Sequence, residues 1–145
     1  MAANSEHFLC DELPAQPWSD VGTVLVAGAT GYIGGRLVPE LLHRGYRVRV
    51  MVRADSAEHK DRWPDVDVVA ADALDLDEVT RALEGVDTAY YLIHSMLIGL
   101  HKFEDADIHA ARNFRQAAEK QGVKRIIYLG GLGDTRDRKS TRLNS

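Results

Sequence analysis

Between Thr23 and Arg36 a short apolar run, Thr-Val-Leu-Val-Ala, passes directly into Gly28-x-x-Gly31-x-x-Gly34 and then into residues at helical spacing. A chain that leaves a strand, reverses within a few residues and enters a helix is committed to a βα unit with glycines at its turn. The spacing predicts Gly28 at the tight reversal and Gly31 where any side chain would stand between the backbone and a pyrophosphate. Gly34 is expected to let the helix pack close to the strand, and Ala29, Thr30, Tyr32 and Ile33 share the same expected phosphate-facing surface. The first N–H groups of that helix lack partners within it and carry its positive dipole end, so phosphates are favoured there. A Gly-rich turn without a ligand is the bland alternative; the strand before and the helix after favour a nucleotide site.

Composition removes other function classes. With 145 residues, 45% of them hydrophobic and 28% charged, the chain suits one globular domain with a sizeable core. A net charge of −4, without a basic run interleaved with aromatics, predicts no nucleic-acid partner. No apolar stretch approaches the roughly 18 residues of a membrane span, and the N-terminus lacks the basic-then-apolar layout of a secretion signal. The lone Cys10 cannot form an internal disulfide and reads as an inert thiol in a polar tail, so the expected location is cytoplasmic.

Along the chain, strand and helix patterns alternate. Strands are expected at Thr23–Ala27, Arg47–Arg53, Val66–Ala70, Thr88–Ile93 and Arg125–Leu129. Val48, Val50 and Val52 share one face of the second. The helix Tyr32–Arg44 carries Ile33, Leu37, Val38, Leu41 and Leu42 as an apolar stripe stopped by Gly45, with Pro39 expected to kink it rather than break it. A short helix follows around Ser56–Trp63. Asp75-x-x-Glu78 resembles a capping box at the start of a helix ending at Gly85. Lys102–Gln121 is the longest helix, with Phe103, Ala106, Ala110, Phe114 and Ala117 in one stripe and Gly122 as its stop. Strands joined by helical crossovers imply an α/β fold, a doubly wound parallel sheet in the order 3-2-1-4-5 with its ligand crevice at the carboxyl ends of strands one and four.

The two ends read differently. Residues 1–20, with Pro14, Pro17 and scattered acids, are expected to be a flexible leader in which Trp18 folds back as an anchor. Residues 137–145 match, residue for residue, one reading frame of a common sequencing-adaptor oligonucleotide, so they are expected to be read-through. That leaves 21–136 as the nucleotide-binding domain, incomplete at its C-terminus.

The glycine triplet, the acids after strand three and Tyr90-Tyr-Leu-Ile-His-Ser-Met96 give the chain a resemblance to atypical short-chain dehydrogenase/reductases with a Rossmann fold. The resemblance is to NAD(P)H-binding proteins near the NmrA-like regulators and the Rossmann-fold accessory subunit of respiratory complex I. It covers Val21 to Gly133, including Ala110-Ala-Arg-Asn-Phe114 and Arg125-Ile-Ile-Tyr-Leu-Gly-Gly-Leu-Gly133. Members carry Thr-Gly where this chain has Ala27-Gly28, which loses a hydroxyl and keeps the glycine geometry.

Cofactor choice depends on the end of strand two, where an acid would accept from the ribose hydroxyls of NAD. Arg53 stands there, and a guanidinium suits a 2′-phosphate, so NADP is expected over NAD. Arg36 is either a second cation near the phosphates or a surface residue. The resemblance implies that Asp72 accepts from the adenine amino group while Ala73 offers backbone, and that Ile93, His94 and Ser95 border the nicotinamide. His94 and Ser95 have the chemistry for proton transfer, and the plainer reading gives them a structural role beside the cofactor.

The catalytic serine of active members would lie where this chain has Gly130, Gly131 and Gly133, and a Tyr-x-x-x-Lys is absent, so no catalytic residue is assigned. His94, His101 and His109 match no metal-ligand spacing, and no metal is expected. Glu104, Asp105 and Asp107 read as a solvated helix face. The resulting expectation is the NADP(H)-binding domain of an oxidoreductase that transfers hydride to an unidentified small molecule, with self-association of the full-length protein left open. The rival is a non-catalytic NAD(P)H-sensing or scaffold protein of the NmrA-like type.

Overall fold

The uncharged run Thr23–Ala27 forms β1, and Val24, Leu25, Val26 and Ala27 are completely buried at the centre of a sheet. The computed structural model describes residues 9–13, 16–54, 57–93 and 101–129. Within them β1 is followed by α1 (Tyr32–His43), β2 (Arg47–Val52), α2 (Ala57–Arg62), β3 (Asp67–Ala70), α3 (Leu76–Ala82), β4 (Thr88–Tyr91), α4 (His101–Gln121) and β5 (Arg125–Tyr128). The strands are all parallel in the order β3-β2-β1-β4-β5, as the alternating pattern requires. Val26 stands in register with Val50 on one side and Tyr90 on the other.

Because side chains alternate across a strand, each strand feeds two cores. Val24, Val26, Val48, Val50 and Val52 pack with Val38 and Leu41 of α1 and with Trp63. Leu25, Ala27, Met51, Ala89 and Tyr91 pack with Val79 and Ala82 of α3 and with Phe114, Ala117 and Ala118 of α4. α1 runs unbroken through Pro39. It and α4 both end with the glycine stop expected, Gly45 and Gly122, each at positive φ with the next residue's N–H donating back to a carbonyl five residues earlier. At the amino ends of the strands Asp87 gathers three of them: its carboxylate accepts from Thr23 N–H, its own N–H donates to Thr23, and its carbonyl accepts from Lys124 and Arg125.

Several local expectations need correction. Ile33 belongs to the helical period, yet it is 50% exposed and packs into neither core. The Trp18 ring does not anchor the leader; it is 63% exposed, and the attachment is made by backbone, with Trp18 N–H donating to the Tyr46 hydroxyl. Cys10 is tied to α1 through its N–H to Glu40 and its carbonyl to Arg44. Asp75 does cap α3, accepting from the N–H groups of Asp77 and Glu78, but the box is not reciprocal. Glu78 reaches past Asp75 to the N–H of Asp72, since Asp75 N–H is already used by the Asp72 carbonyl. β4 stops at Tyr91 instead of Ile93; Leu92 still donates to Ala27, and beyond it β1 has turned away at Gly28.

Candidate functional site

A crevice of about 480 Å³ opens at the carboxyl ends of β1, β2, β3 and β4. β1 delivers Gly28 to its floor, where φ is +93° and an added Cβ would lie 2.6 Å from the carbonyl oxygen of Leu92. Glycine is demanded there twice, by the dihedral and by the close approach of β4. Gly34 answers to packing: a Cβ would stand 2.3 Å from the Gly28 oxygen and 2.7 Å from Ala29 Cα, so its absence lets α1 sit directly on the turn.

Gly31 differs from both. It is the N-cap of α1, in extended conformation, and a Cβ there would meet only the Gly28 oxygen at 3.5 Å, an ordinary contact. Nothing in the described chain requires glycine at this position. Gly31 lines the crevice, no side chain caps the helix start, and the first N–H groups of α1 are left for something outside the helix.

Of the residues singled out in the sequence, Gly28, Thr30, Gly31, Arg53, Asp72, Ala73 and Ile93 line this one crevice. Ala29 is buried beneath the turn, and Gly34 behind it, so neither reaches the crevice wall. Tyr32 and Ile33 are exposed at the helix start, and the Arg36 guanidinium lies 4.6 Å from the centre of the Tyr32 ring. His94, Ser95, Gly130, Gly131, Gly133 and residues 137–145 lie outside the described residues. Arg53, just past the end of β2, is exposed and has no ion-pair partner among the described residues. Asp72 uses Oδ1 to accept from Leu74 N–H, an Asx turn that fixes its side chain at the crevice edge.

Sequence reasoning missed one wall. Ala106, Asp107 and Ala110 of α4 close the crevice, so Asp107 is not part of a solvated helix face. It is half-buried and faces Tyr91, whose hydroxyl is pushed up to about 12, first by burial and then by the negative charge of Asp107 and of Tyr128. Tyr91 packs on Phe114 at 4.9 Å and on Tyr128 at 6.2 Å between ring centres. Tyr90, on the opposite face of β4, is also raised by burial, with Tyr46 adding to it. Leu74, Leu92, Met51 and Val52 supply apolar lining. The signal for α4 lay in the small Ala106 and Ala110, four apart on its inner stripe. Among the described residues no three His, Cys, Asp or Glu side chains gather as a metal site, and no helix is long and apolar enough to cross a membrane.

Comparison with known proteins agrees with this geometry. A family described as NAD(P)H-binding matches residues 28–145. Sterol demethylase protein B of Methylococcus capsulatus is 32% identical over 114 residues, which are 77% of this chain and 35% of that protein. The 3 beta-hydroxysteroid dehydrogenase/isomerase of Mycobacterium tuberculosis is 29% identical over 119 residues, 76% of this chain and 32% of that one. Among solved structures, vestitone reductase from alfalfa superposes with a TM-score of 0.61 at 25% identity, covering 74% of this chain and 35% of that one. The chain thus spans about a third of the length of these relatives. With the sheet order, the glycine turn and a family match that takes in the whole crevice, the chain belongs to the NAD(P)H-binding family, of the atypical short-chain dehydrogenase/reductase type.

Proposed function

We propose that this chain is the NADP(H)-binding domain of an atypical short-chain oxidoreductase whose whole form transfers hydride between the nicotinamide and a small organic substrate. The observation that carries the reading is Gly31: the fold leaves room for a side chain there, and a pyrophosphate lying on the α1 N-terminus gives the glycine its reason. The turn Gly28–Gly34 cradles the phosphates, with Ala29 and Gly34 shaping it from below and Tyr32 and Ile33 flanking the helix start. Arg53 takes the adenosine 2′-phosphate, which suits an exposed guanidinium at the crevice edge without a carboxylate partner among the described residues. Asp72 and Ala73 receive the adenine, and Ile93, with His94 and Ser95, borders the nicotinamide.

When bound, the nicotinamide supplies the hydride chemistry. This chain's residues bind and orient it and, through the apolar Met51, Val52, Leu74 and Leu92, keep water from the adenosine end. The dehydrogenase and reductase names of the relatives support turnover over the non-catalytic alternative, and turnover is proposed of the whole protein rather than of these 145 residues. A cytoplasmic location belongs to the same proposal, supported by the single cysteine.

Titration of the purified chain with NADPH and NADH tests the selector. NADPH is expected to bind more tightly by about 1.5–3 kcal/mol, the worth of hydrogen bonds to a charged group. Arg53→Glu removes that margin. Equal affinity for the two cofactors in the unmodified chain, or an unchanged margin in the variant, rejects Arg53 as the selector.

A further inference from the structure

The loop between β3 and α3 is held by a dense set of bonds. Asp72 N–H donates to Glu78 Oε2 at 3.0 Å, the Asp72 carbonyl accepts from Asp75 N–H at 2.9 Å, and Asp72 Oδ1 accepts from Leu74 N–H at 2.9 Å. The next carbonyl, that of Ala73, accepts from Asn113 Nδ2 at 3.0 Å. Asn113 stands on α4, 40 residues further along the chain, and is 6% exposed on a helix face whose other buried members are apolar. A buried amide on an apolar stripe is unfavourable unless bonded, and an aliphatic residue there would dock the helix as well. Docking of α4 on α3 already has its own amide: Gln121 donates Nε2 to the Thr80 carbonyl at 2.8 Å.

The N–H of Ala73 and Oδ2 of Asp72 have no partner among the described residues. One is a donor and the other an acceptor, on adjacent residues that both line the crevice. All peptides here are trans, so a peptide's C=O and N–H point in opposite directions. With the Asp72 carbonyl aimed at Asp75, the N–H of Ala73 is sent to the other side of the loop. The Asn113 bond fixes the following peptide and with it the spacing of that N–H from the Asp72 carboxylate. A carboxylate oxygen beside an N–H complements the edge of adenine, whose amino group donates and whose N1 accepts. Hypoxanthine reverses both signals, presenting a carbonyl and an N1–H.

We infer that Asn113 is a positioning residue for base recognition: by holding the Ala73 carbonyl it keeps the Asp72 carboxylate and the Ala73 N–H at the spacing that reads adenine. The inference rests on the NADP(H) reading above and deepens it. The test measures dissociation constants of NADPH and of its hypoxanthine counterpart for the unmodified chain, Asn113→Leu and Asn113→Asp. Leucine keeps the volume without the donor; aspartate keeps the shape and is the second variant if leucine disturbs folding, which circular dichroism reports. The unmodified chain is expected to favour the adenine form at least tenfold, and both variants to bring the ratio to within about threefold of unity. A variant that weakens both cofactors in the same proportion, leaving the ratio intact, makes Asn113 merely structural and overturns the inference. An unmodified chain that binds both forms equally overturns it too, while leaving the phosphate and Arg53 assignments standing. Failure to bind either form overturns the NADP(H) reading itself.

Discussion

A Cβ on Gly34 would stand 2.3 Å from the Gly28 carbonyl oxygen, whereas one on Gly31 would meet the same oxygen at 3.5 Å. The two glycines therefore separate fold from binding by substitution. Gly34→Val forces α1 off the turn and should cost about 1–3 kcal/mol of stability or more, as overpacking does. Gly31→Val should melt within a few degrees of the unmodified chain and keep its helix content, yet lose NADPH binding, because its side chain enters the crevice and not the core. Retained binding by Gly31→Val would put the phosphates elsewhere. The requirement at Gly28 and Gly34 was readable from the motif, as was the place of Gly31 at a pyrophosphate, and the open space around Gly31 makes it optional for the fold.

At the scale of elements, Tyr91 ties β4 to α4 through Phe114 and to β5 through Tyr128. Its hydroxyl, pushed up to about 12 by burial and by Asp107 and Tyr128, is held neutral in the fold, against an ordinary value near 10 in the unfolded chain. The folded state binds this proton more tightly, so the associated stability is complete below about pH 10 and lost as pH rises through about 12. The unfolding free energy from urea titrations should fall over that window, by on the order of 2 kcal/mol for this group. Tyr91→Phe should remove most of the fall; Tyr90, raised by burial on the other face, leaves a remainder. An equally steep decline in Tyr91→Phe would assign the loss to other groups. The elements around this junction were legible in the sequence because each helix and strand carries its own period and both helices run into a glycine, Gly85 after α3 and Gly122 after α4. The contacts between them were not: Asp107 reads as one of three acids on a helix, and Asn113 as one polar residue among many. Their roles arise from neighbours 16 and 40 positions away, which local periodicity does not encode.

At the scale of the whole molecule, β5 is bonded to β4 and to no other strand among the described residues, and Ile126, Tyr128 and Leu129 are 43%, 64% and 42% exposed. A parallel edge with that much apolar side chain is a template for pairing with another chain. The 145-residue chain should therefore self-associate with rising concentration, and Ile126→Lys should shift sedimentation profiles toward monomer. A monodisperse unmodified chain at millimolar concentration would show that this edge is already protected. The opposite condition holds at the middle of the sheet, where β1 has neighbours on both sides and a core on each face. Its amides can exchange with solvent only when both cores open together, so Val24, Leu25 and Val26 should set the upper limit of hydrogen-exchange protection. The glycine turn is the direct continuation of that strand. Cofactor should consequently slow exchange in the loops after β2 and β3 well before it alters β1, which makes the slowest-breathing part of the protein the fixed post on which its binding turn is hung.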